Sequence, residues 1–262
     1  MKDLSLNIAD GIATVTLNRP EKKNALSQQM FEGLPELAEQ IEQDKTVRVV
    51  ILTGAGTDFS AGIDLALLQS FLPKMSETRA EMAAAKDGPN WFQRPVTCWS
   101  MLSVPVIAVI QGVCFGGGMQ LALGADFRIA APDAKLSIME AKWGLIPDMG
   151  ITQSLPKLMG ADQAKRLMMT GTVISGTRAA ELNLVTEVSD GPIDAALELA
   201  ATLMTRSPES VAAAKRLVDE SWTMRPDAGL ALEGELQASL IGTPNQMEAV
   251  MAGMTKKAPN FK

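Results

Sequence analysis

The chain has 262 residues, of which 47% are apolar and 21% are charged, and its formal net charge is −6. This length and composition are typical of a globular protein with a large buried core. Lysine and arginine are scattered singly, which disfavours a nucleic-acid-binding protein with a basic face. The chain contains no histidine and no tyrosine, so Ser–His and Cys–His nucleophile pairs and histidine-based metal sites are excluded within one chain. Acid–base chemistry must then come from Asp, Glu, Lys, Cys or water.

The sequence shows no membrane or export signal. Met1-Lys2-Asp3 leads directly into strand-like residues, without the apolar stretch of a signal peptide. The most apolar run, residues 104–110, is far shorter than the roughly 20 residues that cross a bilayer. Cys98 and Cys114 have no metal-binding or redox spacing. We therefore expect a reduced, cytoplasmic setting and no membrane partner.

The first part of the chain predicts a hairpin, a helix and a buried strand. The strands are expected over 4–8, 12–17 and 47–52, and the helix over 28–43. Asp10-Gly11 between the first two strands is a strong hairpin signal. Ser27 is placed to cap the helix, and Pro35 inside it predicts a kink or a later start.

The middle of the chain alternates strands with helices. Strands are predicted over 105–114 and 125–131, and helices over 75–86, 119–125, 160–169, 176–183 and 192–205, with a loop at 87–90 and no clear assignment for the rest of 66–97. Such alternation favours parallel strands with helices packed outside them. Because short strands often come in pairs before a helix, a coiled ββα arrangement fits better than a doubly wound sheet. Further helices are predicted over 208–222, 228–241 and 244–254, as a satellite on the core or on a neighbouring subunit.

Two glycine-containing turns are candidates for chemistry. In GVCFGGGMQLALGAD, residues 112–126, a strand enters Gly116–Gly118 and a helix leaves. A helix N-terminus offers unpaired N–H groups and about +0.5 of a charge, so this turn can hold an anion. The spacing matches neither a Walker loop nor a dinucleotide fingerprint. A tight structural turn is the alternative.

The second turn lies in DFSAGIDLALL, residues 58–68. One N–H group from each turn can converge on a single oxygen, which is the geometry that stabilises an enolate. An ordinary turn is again the alternative reading.

Four segments together resemble a known family. LNRPEKKNAL, FSAGIDL, PVIAVIQGVCFGGGMQLALGADFRIA and the stretch through MGADQAKRLMMTG are similar to the enoyl-CoA hydratase/isomerase, or crotonase, superfamily, over about residues 4–188. The resemblance implies an α/β fold with a crotonase-like right-handed ββα spiral core over 1–195 and a C-terminal helical trimerisation region over 196–262. It also implies an acyl-CoA thioester substrate, no metal or redox cofactor, and a homotrimer or a dimer of trimers.

The same resemblance assigns binding positions. It places the oxyanion-hole amides at Ile63 and Gly117. The positions that match the substrate-binding segments are Lys23, Ala25, Ala61, Gly62, Asp64, Leu65 and Gly116. Lys23 or Lys22 can reach a phosphate of CoA, although a solvated lysine is the alternative.

Three residues match catalytic positions of the family. Glu140 stands where the family places its second carboxylate, and Asp148 where its dienoyl-CoA isomerases place an additional acid. Gln120 stands where the family often places another carboxylate, and a glutamine cannot take up a proton. The neighbours of Glu140 are mostly apolar, which is expected to raise its pKa; they are Ile138, Met139, Trp143, Leu145 and Ile146. A structural ion pair of Glu140 with Arg128 or Lys142, and a turn role for Asp148, are the alternatives.

These residues favour isomerisation of an enoyl-CoA double bond, because one ionisable group suffices to move a proton between two carbons. Hydration with Asp148 in place of the missing carboxylate is the alternative, as are other reactions of the family that use the same oxyanion hole and a non-catalytic acyl-CoA-binding protein. Cys114 is expected to be a small buried residue. Trp91, Phe92 and Trp99 are expected to cover the acyl end of the pocket.

Overall fold

The computed structural model describes residues 2–84 and 88–262. Within them, a six-stranded sheet has the spatial order β1 (Leu4–Ala9), β2 (Ile12–Leu17), β3 (Val49–Gly54), β4 (Val106–Ile110), β6 (Phe127–Ala130) and β9 (Glu187–Val188). A second sheet contains β5 (Val113–Phe115), β7 (Lys135–Ser137) and β8 (Ile174–Ser175). The pairs β1–β2 and β7–β8 are antiparallel, and the other neighbouring strands are parallel.

Helices follow most of the strands along the chain. They are α1 (Gln28–Gln43), α2 (Leu65–Phe71), α3 (Met75–Ala84), α4 (Arg94–Ser100), α5 (Gly117–Leu123), α6 (Ile151–Leu158), α7 (Ala161–Thr170), α8 (Gly176–Glu181), α9 (Pro192–Met204), α10 (Pro208–Ser221), α11 (Pro226–Leu240) and α12 (Pro244–Thr255). Along the chain, β4 and β5 come in succession before α5, and β6 and β7 come in succession before a helical segment, which confirms the predicted ββα organisation.

The hairpin and the first helix form for the reasons that the sequence indicates. Asp10 and Gly11 have φ values of 50° and 79°, which a two-residue turn with right-handed strand twist requires. The Ser27 hydroxyl accepts a hydrogen bond from the Met30 N–H at 3.3 Å and caps α1. The helix begins at Gln28 with Pro35 inside it, so the prediction of a later start is wrong.

The central sheet is buried on both faces, which explains its continuous apolar strands. Val50 and Leu52 of β3 face the main core, where α1 and α5 pack. Val49 and Ile51 face the other way, toward the small buried residues of α9. Burying each such side chain contributes about 1.5–3 kcal/mol, so both layers are needed to hold the sheet.

Some predicted boundaries differ from the observed ones. The helix predicted over 75–86 is α3, and its residues 85–86, like Asp87 of the predicted loop, lie outside the described residues. The prediction made no assignment for α4 or α6. The predicted division at 195/196 falls inside α9, whose Ala196 and Ala200 pack on the sheet; the division itself stays a prediction. Within the described ranges, no helix is long and apolar enough to span a membrane.

Candidate active site

The two predicted turns pack directly against each other. A β-carbon on Gly118 would stand 2.6 Å from the Ser60 β-carbon and 2.8 Å from the Ser60 carbonyl oxygen, so only glycine fits there. The backbones also pair, because Phe115 N–H donates to the Ser60 carbonyl at 2.9 Å. The start of α5 is therefore fixed against the segment that contains Ile63.

Ile63 and Gly117 lie side by side. A β-carbon on Gly117 would stand 3.2 Å from Ile63 Cγ1, and one on Gly62 would stand 3.6 Å from the Gly117 nitrogen. Gly116 starts α5 with φ 50° and ψ −121°, a conformation that favours glycine. Over 2–84 and 88–262, neither the Ile63 N–H nor the Gly117 N–H has a hydrogen-bond acceptor. Two backbone donors are thus available at the N-terminus of α5.

The predicted substrate-binding positions form a short parallel ladder. Ala61 N–H donates to the Lys23 carbonyl at 2.8 Å, and Leu26 N–H donates to the Gly62 carbonyl at 2.7 Å. Ala25 is half-buried between these contacts. The structure therefore brings the two predicted halves of the groove together, with the Lys23 side chain at the surface.

Lys23 and Leu65 are the exposed members of this set. The Lys23 ammonium lies 3.6 Å from Asp58 Oδ2, so its charge is partly paired. Leu65 begins α2 and exposes more than half of its surface. Exposed apolar and cationic side chains at one edge of the ladder are suited to contact a ligand that carries both apolar and anionic groups.

Both carboxylate oxygens of Asp64 form contacts within the protein. Its Oδ1 accepts from the Ala66 N–H at 2.8 Å and caps α2, and its Oδ2 pairs with Arg19 at 2.7 Å and Lys22 at 3.6 Å. Burial alone would raise the pKa of Asp64, but these hydrogen bonds and positive charges hold its pKa below the ordinary value. Asp64 therefore shapes the groove and does not offer a free carboxylate to a ligand.

Two supporting residues were not predicted. The Arg19 guanidinium donates to the Ala25 carbonyl at 2.7 Å in addition to pairing with Asp64. The Asn24 side chain is completely buried and donates to the carbonyls of Ala55 and Asp58 at 2.9 and 2.7 Å. Both lie in the LNRPEKKNAL segment, but the signal in that segment pointed only to its lysines and Ala25.

Glu140 lies beside the glycine turn with its two carboxylate oxygens in different environments. Oε1 accepts a hydrogen bond from Gln120 Nε2 at 2.7 Å, and it lies 3.5 Å from the place of a β-carbon on Gly116. Oε2 is buried and has no hydrogen-bond partner among the described residues. Burial is the main reason why the pKa of Glu140 is raised; the charge of Asp148 adds to it, and the Gln120 hydrogen bond opposes it.

Gln120 connects Glu140 to the loop that carries Asp148. Its side chain is almost fully buried, and its Oε1 accepts from the Met149 N–H at 2.8 Å. Asp148 is half-buried, and burial raises its pKa. The structure thus brings all three predicted catalytic positions, Gln120, Glu140 and Asp148, to one place next to Gly116 and Gly117.

The pKa of Glu140 is raised as expected, but not all of its apolar sequence neighbours are buried. Ile138 is buried, but Trp143, Leu145 and Ile146 are 63%, 57% and 75% exposed. A 3-10 turn over Glu140–Trp143 and the left-handed Gly144 (φ 71°) direct this part of the chain outward. Desolvation of Glu140 therefore comes from the core side.

The alternative ion pair of Glu140 is not formed in the part of the chain that the structure describes. Arg128 instead donates to the carbonyls of Ala125 and Leu184 at 2.7 and 3.0 Å. The Lys142 side chain lies over Gly171. In the described part of the chain, Glu140 therefore does not form either of the ion pairs that the sequence left open.

The aromatic residues expected at the acyl end separate into two groups. Trp91 and Phe92 form a cluster with Phe31 and Phe71, in which the Phe31 and Trp91 rings stack with centroids 4.6 Å apart. Trp99 is completely buried on α4. Cys114 is buried as expected, and burial raises the pKa of its thiol.

Comparison with known proteins identifies the family of the chain. A family model described as enoyl-CoA hydratase/isomerase matches residues 7–262. The chain belongs to the enoyl-CoA hydratase/isomerase family. Among its relatives, the 1,2-epoxyphenylacetyl-CoA isomerase of Escherichia coli is 33% identical over 100% of this chain and 98% of its own length. The mitochondrial methylglutaconyl-CoA hydratase of Mus musculus is 31% identical over 96% of this chain and 80% of its own length.

Solved structures of the family share the fold. An enoyl-CoA hydratase from Bacillus anthracis superposes with a TM-score of 0.91 at 32% identity, over 99% of both chains. This likeness confirms the predicted crotonase-like fold and the enzyme family. Over the described ranges, no group of three or more His, Cys, Asp and Glu residues is placed to hold a metal ion.

Proposed function

We propose that this enzyme shifts the double bond of an enoyl-CoA thioester by moving one proton with Glu140. The observation that carries the proposal is the carboxyl group of Glu140, with its buried and unpartnered Oε2, beside the glycine turn whose Gly117 N–H, like that of the adjoining Ile63, is available. An acid–base group with a raised pKa next to preorganised donors is suited to proton removal from carbon and stabilisation of the resulting enolate.

The reaction balances with one carboxylate. Glu140 Oε2 takes a proton from the γ-carbon of a 2-enoyl thioester or the α-carbon of a 3-enoyl thioester, and the electron pair of that C–H bond moves toward the thioester carbonyl. The Ile63 and Gly117 N–H groups donate to the developing enolate oxygen. Glu140 then returns the proton to the other carbon, so no group is gained or lost. The proposed reaction uses no metal or redox cofactor.

Hydration is the second candidate, and one observation favours it. The charge of Asp148 acts on Glu140, so a second carboxylate is near enough to help handle a water molecule. One relative is named a hydratase and another an isomerase, so the names alone do not choose. We favour isomerisation because the residue bonded to Glu140 is Gln120, which cannot take up a proton.

The binding groove, the assembly and the location of the enzyme are further parts of the proposal. We propose that the ladder of residues 23–26 with 61–64 receives the CoA moiety, with Lys22 or Lys23 near its phosphates. We also propose a homotrimer or a dimer of trimers that works in the cytoplasm.

Purified enzyme offered 2-enoyl-, 3-enoyl- and 3,5-dienoyl-CoA tests the proposal. We expect conversion of the 3-enoyl or dienoyl substrate, and a loss of about 10²–10⁴-fold in kcat for Glu140→Gln, because the general acid–base group is removed. Glu187→Gln, the same change at an exposed position, serves as the control. Rapid hydration of the 2-enoyl substrate that Asp148→Asn leaves unchanged would refute our interpretation of Gln120. Binding without any turnover would instead identify a non-catalytic acyl-CoA-binding protein.

A further inference from the structure

The Gln120 amide has only one orientation that satisfies its surroundings. A backbone N–H can only donate, so the atom that faces Met149 must be the side-chain oxygen. The amide nitrogen therefore faces Glu140 and donates to Oε1 at 2.7 Å. Rotation of the amide by 180° would oppose N–H to N–H at Met149 and leave two buried oxygens facing each other at Glu140.

This fixed orientation has a consequence for the proton on Glu140. Because a donor already occupies Oε1, a proton placed on that oxygen would compete with the Gln120 N–H for the same position. The other oxygen, Oε2, is buried and has no hydrogen-bond partner among the described residues. We propose that Gln120 is a positioning residue, which holds Glu140 by Oε1 and so confines the proton that Glu140 carries to Oε2. This inference rests on the proposed role of Glu140 as the proton carrier.

Gln120 also positions the other parts of the site. The Met149 N–H belongs to the peptide unit that directly follows Asp148, so the hydrogen bond to Gln120 fixes the loop that bears the second carboxylate. The Met149 sulfur lies 3.0 Å from the place of a β-carbon on Gly117 and packs under the oxyanion turn. Gln120 itself is on α5, the helix that this turn begins. One buried amide therefore ties the acid–base group, the Asp148 loop and the turn together.

A carboxylate at this position would act differently. It could still accept from the Met149 N–H, but its second oxygen would stand near Glu140 Oε1 at the distance that the amide now occupies. Two carboxylates so close share one proton, because both cannot remain ionised. The shared proton would lie between the two carboxylates, at Oε1 and not at Oε2. Glutamine thus provides a donor that never competes for the catalytic proton.

Titration of Glu140 in the substrate-free enzyme tests the inference without any turnover. Infrared difference spectra or 13C NMR of glutamate-labelled protein, with Glu140→Gln to assign the signal, give its titration midpoint. The charged groups near Glu140 are Asp148 and, on its own turn, Lys142, so both remain unchanged in all variants.

We expect Gln120→Met to raise the midpoint, because the carboxylate loses its donor, and to lower kcat about 10²-fold with little change in KM, because Glu140 is no longer held in place. Met119→Leu is the matched control on the same helix, since Met119 is equally buried and contacts Cys114 instead.

Gln120→Glu provides a second, independent result if Gln120→Met does not fold, because it keeps an acceptor for the Met149 N–H. We expect a protonated carboxyl signal that persists to higher pH than in the original enzyme, with two coupled titration steps. An unchanged Glu140 midpoint in Gln120→Met, or independent titration of the two carboxylates in Gln120→Glu, would overturn the positioning role. Shifted titrations in an enzyme that isomerises no enoyl-CoA would leave this role standing and refute the proposed reaction instead.

Discussion

The pKa of the Glu140 carboxyl group is under four opposing influences. Burial raises it most, and the charge of Asp148 raises it further, whereas a backbone hydrogen bond and the hydrogen bond from Gln120 lower it. A carboxyl group whose pKa is raised in this way is better suited than a fully exposed glutamate to the proposed role of accepting and returning a proton. The structure therefore gives a physical reason why a single carboxylate can do the work of an acid and a base.

The influence of Asp148 can be measured from the pH dependence of activity. Glu140 must be ionised to remove a proton, so kcat/KM falls on the acid side as pH drops through the pKa of Glu140. In Asp148→Asn the repulsion between the two carboxylates is lost, the pKa of Glu140 falls, and the acid limb of the kcat/KM profile moves to lower pH. Asp133→Asn, the same change at an exposed position, is expected to leave the profile unchanged. An acid limb that stays in place or moves to higher pH in Asp148→Asn would show that the two carboxylates are not coupled.

The identity of the site residues is accessible from the sequence, but their contacts are not. The glycine turn and Glu140 stand in recognisable segments, and the structure brings them together. The bond between Gln120 and the Met149 N–H joins residues 29 positions apart, and no local pattern predicts it. Asp64 likewise pairs with Arg19, 45 positions away. The sequence therefore did not predict that this carboxylate is used in contacts within the protein.

Among the secondary structure elements, those with strong local signals were predicted and those held by packing were missed. The β1–β2 hairpin and α1 carry a turn dipeptide, a cap and long periodic patterns. By contrast, α4 and α6 have seven and eight residues, which is too short to be stable alone. Val96 and Trp99 of α4, and Ile151 and Leu155 of α6, are buried in the core, and this packing stabilises them.

The attachment of α10 to the core depends on a few polar contacts. A cavity of about 870 Å³ lies between α10, α4 and α6, so these helices are not in close contact along their length. The Lys215 ammonium bridges the gap by donating to Asp126 Oδ2 at 2.9 Å and to the carbonyls of Trp99 and Val104 at 3.1 Å. Asp126 also accepts from the Val106 N–H of β4 at 2.7 Å. This one lysine therefore connects α10 to both α4 and the sheet.

Replacement of Lys215 should destabilise the protein more than replacement of a more exposed lysine that also forms an ion pair. We expect Lys215→Met to lower the free energy of unfolding by about 3 kcal/mol, because it leaves the largely buried Asp126 without its counter-ion. Lys157→Met is the matched control. Lys157 of α6 pairs with Asp219 of α10 at 3.6 Å but is more exposed than Lys215, so its replacement should lower the free energy of unfolding by about 1 kcal/mol or less. Denaturant titration of both variants gives the comparison. Equal losses would show that α10 is held by apolar packing instead.

At the scale of the whole molecule, the site forms at the ends of β5 and β7, two paired strands of the second sheet. The end of β5 leads into the glycine turn and the end of β7 leads to Glu140. The segment that carries residues 61–64 of the ladder joins β5 through a bridge between Ser60 and Cys114. Alternation of strands and helices predicts this ββα organisation. This alternation does not reveal that α9 covers the second face of the six-stranded sheet. Ala196 and Ala200 of α9 are fully buried there, but such small residues carry little periodic signal.

The C-terminal helices leave an apolar surface uncovered. Met247, Val250, Met251 and Met254 of α12 are exposed and recur at i, i+3, i+4 and i+7, so they form one stripe along the helix. Monomeric proteins rarely expose such continuous apolar surface. The exposed Trp143, Leu145 and Ile146 near Glu140 form another apolar area. Both surfaces are available to be covered in the proposed assembly with further copies of the chain.

The mass of the assembly in solution tests this conclusion. Light scattering after size-exclusion chromatography should give three or six times the mass of one chain, because cyclic symmetry lets each copy bury the same surfaces. Met251→Glu places a charge at the centre of the stripe and should shift the protein toward monomers, since an unpaired charge in an apolar interface is costly. Ala249→Glu introduces the same charge at an exposed position on the opposite side of α12 and should leave the mass unchanged. A monomer in the original protein, or an unaltered mass in Met251→Glu, would show that this stripe does not form the interface.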